Sequence, residues 1–185
     1  EYDRDAWSQE ITDCDRLAAH YDDPEALTEG VGRSGMDKPA ARAACQEAVK
    51  KDPDNPRLNY QMGRAYGYSD MHDKAIPYRE KALRAGYPQS LFVMGYIRTT
   101  GWDGAEPDPC YGGELIRRSA EQGRFAGLVG FPHYASIGTF DACEDYPKWD
   151  DGALLGYLKQ AEEMTNDFYK LSLIKQLRRD LESRD

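Results

Sequence analysis

The sequence is poor in the residue patterns on which catalysis and metal binding usually depend. Its 185 residues include only three histidines, His20, His72 and His133, and no C-x-x-C pair. Histidines this far apart give no indication of a converging catalytic group, and without paired cysteines neither a zinc knuckle nor a thioredoxin-like site is indicated. We therefore predict no catalytic residue, no metal and no cofactor.

The chain also lacks long hydrophobic runs and an excess of positive charge. No stretch approaches 18 consecutive apolar residues, so no transmembrane segment is predicted. The net charge is -9, which is opposite in sign to the field that displaces counterions from nucleic acid, and we exclude that class of partner. The first five residues are polar, so an exported form of the protein would have lost its signal peptide before Glu1.

Two weaker patterns have a plainer interpretation than a ligand site. Residues 30–35 resemble a phosphate-binding loop but lack its Gly-Lys-Ser/Thr ending, which favours a flexible connection. Two acidic loops could supply calcium ligands, but neither has the spacing of a calcium loop, and solvated loops are the expected state. The acidic residues concerned are Asp103, Glu106 and Asp108 in one loop, and Asp141, Glu144 and Asp145 in the other.

A repeated pattern of small and aromatic residues is what the sequence does contain. Hydrophobic residues make up 40% of the chain, enough for a folded core. Residues 59–83 read N-Y-Q-M-G-R-A-Y-G-Y-S-D-M-H-D-K-A-I-P-Y-R-E-K-A-L. Gly63 and Ala75 would let two antiparallel helices approach closely, while Tyr66 and Tyr78 would fill the wider gaps beside that crossing. This segment resembles a tetratricopeptide repeat.

The pattern recurs at the period expected of such repeats. Ala48 and Ala82 are 34 residues apart, and Met94-Gly95 follows Met62-Gly63 after 32. The downstream units, with S-A-E-Q-G at residues 119–123 and a long loop at 100–113, are similar to the SEL-one-like variety. The opening D-C-D-R-L-A-A-H at residues 13–20 also resembles exported bacterial proteins of this group.

The resemblance implies an all-α fold, a right-handed α-solenoid of antiparallel helix hairpins of the tetratricopeptide/SEL-one-like type. We expect an N-terminal helix and irregular connection at 1–37, repeats at 38–163 and a C-terminal capping helix at 164–185. The predicted helices lie near 5–20, 38–51, 56–68, 72–85, 88–99, 111–122, 125–135, 150–163 and 166–183.

Four cysteines leave two possibilities open, reduced thiols or two disulfides. On the predicted repeats, Cys14 and Cys45 fall on neighbouring helices, and Cys110 and Cys143 fall in the linkers of successive hairpins. We predict the bridges Cys14–Cys45 and Cys110–Cys143. Disulfides persist in oxidising compartments, so a periplasmic or secreted protein is expected.

First helices line the concave face in tetratricopeptide arrays, and this resemblance selects candidate partner-binding residues. They are Tyr60, Arg64, Tyr68, Phe92 and Tyr96, with Phe131 in the third repeat. Tyr60, Arg64 and Tyr68 could instead form an ordinary solvated helix face, Tyr96 and Phe131 could be core, and Trp102 could be a surface hot spot or a plug.

We therefore predict a non-enzymatic repeat scaffold of the bacterial envelope that binds a protein or a peptide. The alternative is a hydrolase that cleaves an envelope polymer such as peptidoglycan through paired carboxylates.

Overall fold

The structure, a computed structural model, describes residues 2–183, apart from the side chain of Asp103. The outermost residues of the predicted terminal segments, Glu1, Arg184 and Asp185, lie outside the described residues. The same holds for the side chain of the candidate metal ligand Asp103. The described residues form nine α-helices and no strand, which confirms the predicted all-α class. The helices are α1 (Asp13–Ala18), α2 (Lys38–Lys51), α3 (Pro56–Gly67), α4 (His72–Arg84), α5 (Pro88–Thr100), α6 (Pro109–Glu121), α7 (Phe125–Ser136), α8 (Asp151–Glu163) and α9 (Phe168–Glu182).

Most helix starts are fixed by a short polar side chain that accepts a backbone N–H of the first turn. Asn55 accepts from the amides of Arg57 and Leu58, and Pro56 follows it at the first helical position, where its missing N–H costs nothing. The same kind of cap begins other helices, with Asp37 before α2, Asp108 before α6, Asp150 before α8 and Asp167 before α9.

The N-terminal helix is shorter than predicted. Residues 4–6 form a single 3₁₀ turn, and α1 covers only Asp13–Ala18 of the expected 5–20. Thr12 has an extended backbone and closes a reciprocal capping box with Asp15, so the helix cannot continue towards the N-terminus. Ala19 is again extended, and this ends the helix after six residues.

The chain divides into two compact units, Glu1–Leu91 and Phe92–Asp185. In the first unit, α3 and α4 form the clearest hairpin of the sequence analysis. A Cβ added to Gly63 would lie 3.4 Å from the carbonyl oxygen of Ala75 and 2.8 Å from the Arg79 side chain. The rings of Tyr66 and Tyr78 stack 5.7 Å apart beside this crossing. The expected division between small residues at the crossing and tyrosines beside it is therefore found here.

The second unit contains the larger apolar core. Phe131 and Phe140 stack with centroids 5.5 Å apart, and Leu128, Leu154 and Ile174 are fully buried around them. The candidate Phe131 is thus a core residue, which was one of its two predicted alternatives.

Both predicted cysteine pairs lie at disulfide-bonding distance, which confirms the pairing. Cys14 is joined to Cys45 and Cys110 to Cys143, with Cα–Cα distances of 4.5 and 5.6 Å. Cys110 was expected in a linker but lies in the first turn of α6. The Asp108 cap and Pro109 begin that helix two residues earlier than predicted.

No helix among the described residues is both long and apolar enough to cross a membrane.

Candidate partner-binding site

The predicted groove residues of α3 do not face solvent. Tyr60 is 3% exposed and Arg64 is 4% exposed, so the alternative of a solvated helix face is wrong for these two residues, and neither side chain is open to an outside partner in this structure. The reason is that part of the segment before α2 lies on this side of α3. We refer to Arg57, Tyr60, Gln61 and Arg64 as the α3 face.

Arg64 binds main-chain oxygens of the N-terminal segment. Its Nη1 donates to the carbonyl oxygens of Ala18 and Ala19 at 2.9 and 2.8 Å. Its Nη2 donates to the carbonyl oxygen of Val31 at 2.5 Å. A guanidinium offers five donors in a planar fork, so one side chain can hold several stretches of irregular backbone in place.

Arg57 forms the centre of a buried polar network with Asp15. Its Nη1 lies 2.9 Å from Oδ1 of Asp15, which also accepts from Nε2 of Gln61 at 3.0 Å. The side chains of Arg57 and Asp15 are 3% and 0% exposed. The Nη2 of Arg57 donates to the carbonyl oxygens of Ser8 and Glu10 at 3.3 and 3.2 Å.

Sequence reasoning missed the Arg57–Asp15 pair, which joins residues 42 positions apart. One signal was available in the charges. Asp15 belongs to the strongly acidic residues 1–37, whereas the hairpins that follow are rich in Lys and Arg. Such a contrast indicates attraction between the two segments, although it does not identify the partners.

Tyr68 is half-buried at the end of the α3 face. The guanidinium carbons of Arg33 and Arg64 lie 5.2 and 4.9 Å from the centre of its ring, within the range of a cation–π contact. The predicted binding residue Tyr68 thus packs against two arginines of its own chain.

A cluster of tyrosines continues this covered region. The hydroxyl of Tyr87 donates to Asp23 at 2.8 Å, and its ring lies edge-on to Tyr2 at 5.2 Å. Burial, followed by the charge of Asp23, raises the pKa of Tyr87 well above its ordinary value. Burial, followed by the charge of Glu25, raises the pKa of Tyr2 to about 12. Both phenols are therefore neutral hydrogen-bonding groups in this part of the first unit.

The other two candidates, Phe92 and Tyr96, belong to the second unit and lie on a partly exposed aromatic surface. Tyr96 is 38% exposed, and its ring meets the ring of Trp102 edge-on with centroids 6.2 Å apart. Tyr134 is half-buried, and burial, followed by the charge of Tyr96, raises the pKa of its hydroxyl. We call Phe92, Tyr96, Trp102 and Tyr134 the Tyr96 surface.

A glycine on α7 brings Phe92 into this surface. A Cβ at Gly130 would lie 3.3 Å from the Phe92 ring, and the Arg124 guanidinium carbon lies 5.2 Å from the centre of the same ring. Gly130 and Tyr134 are one helical turn apart and thus share a face of α7. The structure therefore brings Phe92 and Tyr96 together with two aromatic residues that the list of candidates lacked.

Sequence reasoning missed Tyr134 as a site residue and left the role of Trp102 open. In the repeat pattern His133, rather than Tyr134, stands where the tyrosine of the first helix is expected, and the side chain of His133 is exposed. The four-residue spacing from Gly130 was the signal that could have found Tyr134. Trp102 is 39% exposed and contacts Tyr96, so it is only partly covered.

The described residues offer no group of three or more His, Cys, Asp or Glu side chains placed to hold a metal ion. Their two buried carboxylates, Asp15 and Asp23, are both hydrogen-bonded inside the first unit.

Comparison with solved structures finds a Sel1 repeat protein from Oxalobacter formigenes. The two structures superpose with a TM-score of 0.60 at 18% sequence identity, over 88% of this chain and 61% of that chain. The chain thus spans less than two thirds of that structure's length. No protein-family model matches the sequence, and no curated protein matches it. The structural likeness confirms the predicted SEL-one-like repeat fold.

Proposed function

We propose that this repeat protein is a non-enzymatic scaffold of the bacterial envelope that holds a protein or peptide partner at the Tyr96 surface. The observation that carries the proposal is a set of four partly exposed aromatic side chains on α5, α7 and the turn at Trp102–Gly104, of which Tyr96 and Trp102 are in ring contact. Tyr and Trp give a large contact area at low entropic cost, and their polar tips can hydrogen-bond a partner backbone.

The net charge supports a basic partner. With a charge of -9, the chain attracts cationic peptides and proteins at long range and repels nucleic acid. The guanidinium of Arg124 already lies against the Phe92 ring of this surface. We therefore expect apolar and aromatic side chains of the partner to contact the rings, with its cations directed to the surrounding carboxylates.

The alternative of a polymer hydrolase gains no support from the carboxylates. Such an enzyme needs two acids facing each other across a cleft, one of them in an apolar setting that raises its pKa. Both buried carboxylates of the described residues are instead held by donors of the same unit. Binding is the function that the geometry favours.

Replacing Tyr96 with alanine is expected to weaken partner binding about ten-fold, because a partly desolvated aromatic ring at the centre of an interface typically contributes 1 kcal/mol or more. The measurement is affinity capture from envelope extracts with the purified wild-type protein and the variant as baits, followed by quantitative mass spectrometry and titration of the captured partner.

Tyr169→Ala provides the matched control. Tyr169 is an 80% exposed tyrosine of the same unit, on α9, so its removal tests the loss of a tyrosine without touching the Tyr96 surface. Equal recovery of every reproducible partner by Tyr96→Ala and Tyr169→Ala would contradict the proposed site. Turnover of peptidoglycan without a reproducible partner would contradict the scaffold itself.

Export is proposed from the two disulfides, because bridges of this kind form and persist in oxidising compartments. Cells alkylated before lysis are expected to yield protein with no modified cysteine, found in the periplasmic or extracellular fraction. Recovery of protein with four alkylated cysteines from the cytosol would rule out the envelope assignment.

A further inference from the structure

The first unit contains two segments of opposite charge that lie against each other. Residues 1–37 have eleven Asp or Glu and three Lys or Arg, a net charge of -8. Residues 38–91 have six acidic and ten basic residues, a net charge of +4. The acidic segment therefore lies against the one strongly basic stretch of the unit, and charge complementarity of this kind is typical of a ligand and its binding site.

The α3 face holds this segment mainly through its backbone. Arg57 and Arg64, helped by Asn55, donate to five carbonyl oxygens of the segment, and Asp15 is the one side chain bound by two donors of the face. Backbone contacts of this kind would accept many sequences, whereas the buried carboxylate position demands an acid. The five oxygens belong to Ser8, Glu10, Ala18, Ala19 and Val31.

The apolar contribution of the segment comes mainly from short side chains. Its fully buried residues on α1 and just after it are Cys14, Ala18 and Ala19, besides the carboxylate of Asp15, and Leu17 and Val31 pack partly buried against the same core. Short side chains remove little apolar area from water, so they add less to the association than a core helix would. Charge and hydrogen bonds therefore supply much of the attraction.

The segment also leaves part of the α3 face unused. Nε of Arg57, Oε1 of Gln61 and Nε of Arg64 are buried and have no hydrogen-bonding partner. These atoms lie on successive turns of one face of α3. A different acidic segment that placed an acceptor at either arginine Nε, or a backbone N–H at Oε1 of Gln61, would bind this face better than residues 8–31 do.

A covalent bond holds the segment in place. Cys14, in the middle of the bound region, is joined to Cys45 of α2. This bond keeps the local concentration of the segment high, so an outside peptide competes poorly while it is intact. The second bridge, Cys110–Cys143, lies in the other unit and does not restrain this segment.

We propose that the α3 face is a second binding site, specific for an extended acidic segment of a partner protein, and that residues 8–31 occupy it as an intramolecular ligand fixed by the Cys14–Cys45 bridge. Without this bridge, an outside acidic segment can displace residues 8–31 from the face. The buried arginines then exchange one carboxylate for another, because an unpaired buried charge would be costly. This proposal is independent of the Tyr96 surface.

The test uses the full chain and a labelled synthetic peptide of residues 8–31 carrying Cys14→Ser. The untied variant is Cys14→Ala/Cys45→Ala, and the matched control is Cys110→Ala/Cys143→Ala, which loses a bridge but keeps the segment tied. We expect the untied variant to bind the peptide at least ten-fold more tightly than the control and the wild type. A peptide that also carries Asp15→Asn should bind about ten-fold more weakly than the first.

Hydrogen exchange on the untied variant makes the result decisive. We expect faster exchange of the amides of residues 8–31 while α2, α3 and α4 stay protected. Loss of protection in these helices together with residues 8–31 would show that the segment is an integral part of the hairpins and would overturn the proposal. Equal peptide affinities for the untied variant and the control would overturn it as well.

Discussion

Asp15→Ala is expected to lower the free energy of unfolding of the first unit by about 3–5 kcal/mol, the range for breaking a buried ion pair by removing one partner. The substitution leaves the Arg57 guanidinium, whose side chain is 3% exposed, without its carboxylate. It also removes the acceptor of Gln61 Nε2 and opens the capping box with Thr12. The free energy is read from native-state hydrogen exchange of the α3 amides.

Asp13→Ala is the control for this experiment, because Asp13 lies two residues away on the same helix. Its side chain is 79% exposed and forms a surface ion pair with Arg16, so its loss should change the stability by less than about 1 kcal/mol. If the two variants lost the same stability, the buried network would not be the feature that fixes the segment on α3.

The helices of the repeats could be predicted from the sequence because their signals are local. The predicted range 38–51 is the observed α2, and the limits of α3 and α4 differ by one residue from those expected. Asp37, Asn55 and the prolines that follow them mark helix starts within a few residues, and the spacing of Gly63, Tyr66, Ala75 and Tyr78 describes how one hairpin packs on itself. The structural comparison then confirmed the fold that this spacing indicated.

The covering of the α3 face could not be predicted, because it depends on contacts between residues far apart in the chain. Arg64 meets Ala18 across 46 residues, and nothing next to Arg64 in the sequence marks it as buried. An arginine on a first helix has the same local pattern whether it faces solvent, a partner or another part of its own chain. The resemblance selected Tyr60 and Arg64 as candidates for binding a partner, and the structure shows a segment of the same chain lying on Arg64.

Gly95→Val is expected to destabilise the second unit by about 3 kcal/mol, at the upper end of the cost of overpacking. A Cβ at this position would lie 2.8 Å from the carbonyl oxygen of Gly112 and 3.0 Å from the amide nitrogen of Ile116. Both are backbone atoms of α6, so relief requires the two helices to separate rather than a side chain to rotate. The change in the free energy of unfolding is measured by urea unfolding, followed through the fluorescence of Trp102 and Trp149 in a Trp7→Phe background.

Gly156→Val separates this steric effect from the effect of placing valine in a helix. Gly156 lies within α8 of the same unit, and a Cβ added there meets no atom within 4 Å. Since valine has a slightly better helix propensity than glycine, the free energy of unfolding of this control should stay the same or rise by about a few tenths of a kcal/mol. Equal unfolding midpoints for the two variants would mean that α5 and α6 do not depend on the close approach of Gly95 and Gly112. The alignment of this hairpin with the one that contains Gly63 would then lose its support, because the repeat pattern requires a small residue where the two helices cross.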